Sequence, residues 1–159
     1  MTKVFHFDVP RENYVADAAI IWCFDHRFHL PFSKFLKKIG IVWVDVIKLP
    51  GGVKSLASPA CDTDREFVLR QIRTAIRLHQ PRLVILMAHS DCGGYGGLEA
   101  FGGDTEREAQ HHAGELQRAA EIVRSAIPEV DVQAYFVDFE GIWAVELTGT
   151  ASSMSAKSA

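Results

Sequence analysis

"AAIIWCFDHR", residues 18–27, runs from an unbroken apolar segment straight into a cysteine, an aspartate and an arginine. Residues 18–24 show no polar alternation. That is the pattern of a strand covered on both faces, as in a parallel sheet between helices. "LVILMAHSDC", residues 83–92, repeats the form: an apolar run over 83–88, then a histidine, an aspartate and a cysteine. In such sheets ligands bind beyond the carboxyl ends of the strands. If the two strands are neighbours, the two polar clusters face each other there.

The intervening and flanking segments alternate between strand and helix. After the first strand, Pro31 suits a first helical turn, Phe32, Phe35, Leu36 and Ile39 recur at helical spacing, and Gly40 suits the end. Residues 41–47 read as a second strand, rich in Val, Ile and Trp. A loop with Pro50, Gly51 and Gly52 follows. Thr63 with Glu66 predicts a capping box for a helix that buries Phe67, Leu69, Ile72, Ile76 and Leu78 and keeps Arg65, Arg70, Arg73 and Arg77 wet. Beyond the third strand, a glycine-rich loop spans 93–103. Thr105 with Glu108 predicts a second capping box, for a helix using Ala109, Ala113, Leu116, Ala120, Val123 and Ile127. Residues 130–139 alternate as a strand near an edge, and Glu140-Gly141 turns into a last strand over 142–147. The expected fold is a single α/β domain: a central, mainly parallel sheet flanked by helices, with right-handed crossovers. The domain is assigned to 1–147, and the Ser- and Ala-rich stretch 148–159 to a flexible tail.

The totals agree with one globular core. The chain has 159 residues, 48% hydrophobic and 23% charged. A formal net charge of -3 calls for neither nucleic acid nor an anionic membrane as partner. No apolar run is long enough for a bilayer, and the first residues lack the apolar core of a secretory signal, so the expected location is the cytoplasm. Three cysteines, Cys23, Cys61 and Cys92, do not read as a disulfide framework; metal binding or catalysis is the better use for them.

Cys23, His89 and Cys92 are the candidate metal ligands. A histidine and a cysteine three apart on a turn can aim at one ion. Two thiolates and one imidazole suit zinc, and three protein ligands leave a fourth place open, as catalytic rather than structural zinc sites do. Water in that place loses a proton near neutral pH and becomes a hydroxide nucleophile. Asp25 has two readings with opposite consequences: it accepts a hydrogen bond from that water, or it coordinates the ion and closes the site. A bidentate pair with Arg27 would hold Asp25 off the metal and keep it ionised.

Cys23-Phe24-Asp25-His26-Arg27 after the first strand and His89-Ser90-Asp91-Cys92-Gly93 after the third resemble the two motifs of β-class carbonic anhydrases. The matching β/α order covers roughly 18–147. The resemblance implies a zinc enzyme that hydrates carbon dioxide reversibly to bicarbonate, with Cys23, His89 and Cys92 as ligands and Asp25 and Arg27 as the gating pair. It also implies a homodimer or homotetramer with active sites near the subunit interface. Where the family carries an Arg-Asn-Ala-Gly-like run, this chain reads Lys48-Leu49-Pro50-Gly51-Gly52, and its arm before the first strand is brief. Two alternatives stand beside this reading. One is hydrolysis of carbonyl sulfide or carbon disulfide on the same zinc. The other is a non-catalytic zinc protein with Asp25 as fourth ligand.

The remaining candidates rank lower. Cys61 has no partner pattern. His26 reads as exposed or close behind the ligands, and His29 as the start of a helix; His111 and His112 read as solvated helix residues. Asp91 is either a turn residue or the acceptor for the second ring nitrogen of His89. The loop "GGYGGLEAFGG" (residues 93–103) lacks the pattern of a phosphate loop. Its glycines suit close backbone approach around a metal, with Tyr95, Leu98 and Phe101 lining an apolar pocket for a small uncharged substrate.

Overall fold

In the computed structural model, which describes residues 1–149, five strands form one sheet in the order β2-β1-β3-β4-β5. The strands are β1 (Ala18–Cys23), β2 (Val44–Leu49), β3 (Leu83–His89), β4 (Asp131–Val137) and β5 (Ile142–Ala144). Pairs β1–β2, β1–β3 and β3–β4 are parallel, and only β4–β5 is antiparallel. The helices are α1 (His29–Lys38), α2 (Lys54–Ala57), α3 (Asp62–His79) and α4 (Thr105–Ala126). The mainly parallel α/β sheet expected from the sequence is therefore present.

Alternation along the two central strands builds two cores. Ile20, Trp22, Ile85 and Met87 pack with Phe28, Phe32 and Leu36 on the α1 side. Ile21, Val84, Leu86 and Ala88 pack with Val68, Leu69 and Ile72 of α3 and Leu116, Ala120 and Val123 of α4 on the other. Both faces of β1 and β3 are thus dry, which is why their sequences show no polar alternation. The chain leaves β1 to form β2 on one side, then returns across β1 to form β3 on the other. The strand order reverses between β1 and β3, and the crevice at such a switch point is where open α/β sheets hold ligands.

Several boundaries differ from expectation, for local reasons. The second strand begins at Val44 rather than residue 41, because the Val42 and Trp43 N–H groups donate to the Asp17 carboxylate, both at 2.8 Å, instead of a sheet ladder. Neither capping box forms. Cys61 occupies the N-cap of α3 without a side-chain cap. Asp104 caps α4, accepting from the N–H groups of Glu106 and Arg107. The buried stripe of α3 is Val68, Leu69, Ile72 and Ala75, so Phe67 and Leu78 are exposed. The last strand stops at Ala144 because the chain turns onto α4, where Gln117 accepts from the Thr148 N–H and Arg124 donates to the Thr148 carbonyl. Of the segment assigned to a tail, residues 150–159 lie outside the described residues. No helix among the described residues is long and apolar enough to cross a membrane.

Candidate metal centre

Cys23 is the last residue of β1 and His89 the last of β3, and Cys92 follows three residues on. Pairing of β1 with β3 brings them together: one ligand atom from each lies within 4.8 Å of the others. All three are buried, and the two sulfurs are 4.0 Å apart. His89 Nδ1 lies 2.8 Å from the Ser90 carbonyl, which only an Nδ1–H can satisfy as donor. That fixes the tautomer with Nε2 as the bare nitrogen. Trp22 and Phe28 flank the ring at 5.5 and 4.8 Å between centroids and hold its plane.

Nε2 of His89 is buried with no hydrogen-bond partner. A buried bare imidazole nitrogen is costly unless something fills its lone pair. Two sulfurs and one imidazole nitrogen are the soft, compact donor set that zinc takes. These residues fit that ion. The protonation pattern agrees. A hydrogen bond from Cys92 chiefly, with help from His89, holds the Cys23 thiol down to about 4, while Cys92, as the donor, is pushed up. Burial works against protonation of His89, but the nearby Cys23 sulfur and the Ser90 carbonyl outweigh it and raise its pKa.

Asp25 lies beside this cluster and is not part of it. Arg27 grips its carboxylate: Nε donates to Oδ1 and Oδ2 at 3.1 and 3.0 Å, Nη2 to Oδ2 at 2.7 Å, and the backbone N–H to Oδ1 at 2.9 Å. This fork holds the Asp25 pKa below the usual carboxylate range. A cavity of about 320 Å³ opens beside Cys23 and Asp25, walled by Phe24, Pro50 and the backbone of Gly51, Gly93 and Gly94. The walls meet backbone to backbone. A Cβ on Gly94 would stand 2.6 Å from the Gly51 nitrogen, and one on Gly52 2.7 Å from the Met87 carbonyl. Only glycine permits that approach.

Two expectations are corrected here, and the open choice for Asp91 falls to the turn residue. Tyr95, Leu98 and Phe101 do not line the cavity: the Tyr95 hydroxyl turns inward and donates to Glu115 at 2.9 Å, and Phe101 packs on His111 and His112. Asp91 is not the acceptor for His89. Ser90 is, and Asp91 pairs with Arg27. His112 is fully buried rather than solvated, while His111 is exposed. His26 is exposed, stacked on His29 at 5.1 Å, and Cys61 is exposed.

The sequence reading missed the polar lining of α4. Glu108, His112 and Glu115 are all buried. Glu115 accepts from Ser58, Tyr95 and Arg118, and although burial opposes it, those bonds lower its pKa. Glu108 accepts from the Asp91 N–H at 2.7 Å. The signal was spacing: residues 108, 112 and 115 fall in the same stripe as Leu116, Ala119 and Val123.

A family model described as "Putative carbonic anhydrase" matches residues 15–148. An uncharacterized protein of Rickettsia bellii (strain RML369-C) is 25% identical over 147 residues, covering 88% of this chain and 90% of that one. Another, from Rickettsia conorii (strain ATCC VR-613 / Malish 7), is 24% identical over 148 residues, covering 88% and 79%. Among solved structures, the tetrameric β-carbonic anhydrases of Sordaria macrospora superpose with a TM-score of 0.58 at 18% identity, covering 84% of this chain and 82% of that one. β-Carbonic anhydrase isoform I of Trichomonas vaginalis gives 0.59 at 15%, covering 88% and 87%. A carbon disulfide hydrolase gives 0.54 at 14%, covering 84% and 81%. At these identities the structures establish a shared fold.

Proposed function

The chain belongs to the carbonic anhydrase family of that description and has the fold of β-carbonic anhydrases, and on that premise we propose that it interconverts carbon dioxide and bicarbonate at a zinc ion held by Cys23, His89 and Cys92. The observation that carries this reading is the bare, buried Nε2 of His89 beside two sulfurs, of which that of Cys23 belongs to the lining of a small cavity. Zinc bound there supplies Lewis acidity, lowering the pKa of a coordinated water toward neutrality.

The chain's own residues do the rest. Cys23 and Cys92 would hold the ion and give it negative charge, and the Ser90 carbonyl, by fixing Nδ1, leaves Nε2 of His89 free to join them. Arg27 holds Asp25 away from the ligand cluster, so the fourth place stays available. Asp25, kept ionised, would accept a hydrogen bond from the O–H of a water in the cavity and so turn that water's lone pair toward the substrate. Phe24, Pro50 and the glycine backbone give a seat with few polar groups, suited to an uncharged triatomic molecule. The released proton passes to solvent or to exposed His26.

Carbonyl sulfide or carbon disulfide is the second reading, favoured by the carbon disulfide hydrolase of the same fold. The third, a non-catalytic zinc protein closed by Asp25, is disfavoured by the Arg27 grip on that carboxylate. We also propose a homodimer or homotetramer, a state supported by the tetrameric enzymes of Sordaria macrospora.

Metal analysis followed by stopped-flow carbon dioxide hydration across pH tests the proposal, with Cys92→Ala as control and carbon disulfide as competing substrate. One zinc per chain and hydration lost in the control are expected. Absence of stoichiometric zinc would overturn the site. Zinc without hydration at any pH would overturn the activity, and carbon disulfide turnover in its place would establish the second reading.

A further inference from the structure

Arg27 stands between two aspartates. One edge of its guanidinium holds Asp25; on the other, Nη1 donates to Asp91 Oδ2 at 2.8 Å and Nη2 to the Asp91 carbonyl at 2.9 Å. The guanidinium is a rigid planar fork, so fixing one edge fixes the other. Where Asp91 stands therefore decides where Arg27 can hold Asp25.

Asp91 is itself locked in place. Its backbone has φ 52°, in the left-handed region that non-glycine residues seldom adopt. Its Oδ1 accepts from the Leu98 N–H at 3.1 Å, and its own N–H donates to Glu108 Oε1 at 2.7 Å. Glu108 reaches it from α4, is 1% exposed, and leaves Oε2 without a partner. A buried carboxylate with half its acceptors unused costs stability that an apolar residue of similar size would not. Nor does stability explain the Arg27–Asp91 pair, since both side chains are more than two-fifths exposed and such pairs contribute little. What the two carboxylates accomplish together is geometric: they fix one guanidinium.

We propose that Asp91, anchored by Glu108, is a positioning residue that holds Arg27 in the orientation keeping Asp25 off the metal, so that the fourth coordination place stays open. The inference rests on the metal site proposed above and adds to it a control that runs from α4 through Asp91 and Arg27 to Asp25.

The test uses the full chain loaded with cobalt(II) and titrated with azide, which takes the open coordination place and changes the visible spectrum. Asp91→Asn is the first variant. Asparagine tolerates the left-handed backbone and can still accept from Leu98, but its single oxygen cannot also serve Arg27. Azide affinity should fall roughly tenfold or more, the scale of one lost charge-assisted hydrogen bond. Adding Asp25→Asn to Asp91→Asn should restore it, because the group released onto the metal is gone. Glu108→Met should move the affinity in the same direction by a smaller factor. Unchanged affinity in Asp91→Asn with full cobalt loading overturns the proposal. So does failure of the double variant to restore binding, which would report general damage rather than positioning. Unchanged affinity in Glu108→Met removes Glu108 from the device. A wild-type chain that takes up no cobalt is a different failure: it refutes the metal site, and this inference with it.

Discussion

His89 and His112 are both buried, at 1% and 0% exposure, and both leave Nε2 without a hydrogen-bond partner. Burial and a bare nitrogen therefore do not separate a site from a packed ring. The surroundings do. His89 is anchored through Nδ1 to the Ser90 carbonyl and offers its other nitrogen to the two cysteine sulfurs. His112 is bare at both nitrogens and sits among aromatic rings, 4.6 Å from Tyr95 and 5.5 Å from Phe136 between centroids. Its nearest carboxylate oxygen, on Glu108, is 3.9 Å away, too far for a hydrogen bond. The Cys23 sulfur and the Ser90 carbonyl raise the pKa of His89 against burial, whereas burial pulls His112 down to about 4. An imidazole fixed at one nitrogen and presented with the other among soft donors is arranged for an ion. One with neither fixed is a neutral packing element.

The largest expected effect breaks this comparison if it fails. His89→Ala should remove stoichiometric zinc and lower carbon dioxide hydration by roughly three orders of magnitude or more, because without the ion nothing acidifies water near neutrality. His112→Phe should keep both zinc and hydration at pH 8. Metal analysis and stopped-flow assays on the two variants read this directly. Equal loss from both would mean that the polar interior of α4 belongs to the site.

The second effect concerns pH. The folded-state pKa of His112 is about 4 against 6.5 for the unperturbed residue, so below pH 6.5 the unfolded chain binds the extra proton. The stability that neutral His112 supplies is complete above pH 6.5 and is lost as pH falls toward 4. On the order of 2 kcal/mol should be gone by pH 5. The groups facing it are His111, Glu108 and Glu115 on α4, Tyr95 from the glycine loop and His89 at the end of β3. Urea unfolding of wild type and His112→Phe at pH 5 and 8 isolates the residue's share. The variant should lose less stability on acidification. An equal loss in both would show that the ring tolerates a proton and that the contrast with His89 is overstated.

The contrast also explains what could be read from the sequence. The strand ends were legible because their chemistry is local: apolar runs over 18–23 and 83–88 end in Cys23 and His89, and parallel pairing of the strands supplies the rest. Arg27 gripping Asp25 was legible for the same reason, two residues on one turn. His112, Glu108 and Glu115 were not, because polar residues in the buried stripe of a helix look like its wet face until the partner elements are known. The sequence leaves Asp91 between a turn residue and a partner for His89; it is a turn residue, and its pairing with Arg27 depends on a left-handed backbone that no residue type announces. The cavity walls were misread in the same way. Tyr95 and Phe101 lie in the right loop but on its inner side.

The smallest effect sharpens the boundary between the two regions. α4 carries both Glu108, which touches the His89 pocket through Asp91, and His112, which does not coordinate anything around it. Its start is set by Asp104, whose Oδ1 accepts from the N–H groups of Glu106 and Arg107, both at 3.0 Å. Thr105, the residue that the sequence pattern favoured as cap, is already inside the helix. Asp104→Ala should cost about 1 kcal/mol, the usual cost of a lost N-cap, and Thr105→Ala almost nothing. Thermal unfolding of the two variants measures the difference. Zinc stoichiometry should be unchanged in both, because the cap acts on the helix end and reaches the ligands only through Glu108. If Asp104→Ala also lowered zinc occupancy, fraying of the first turn would have reached Asp91, and the helix interior around His112 could no longer be treated as separate from the pocket around His89.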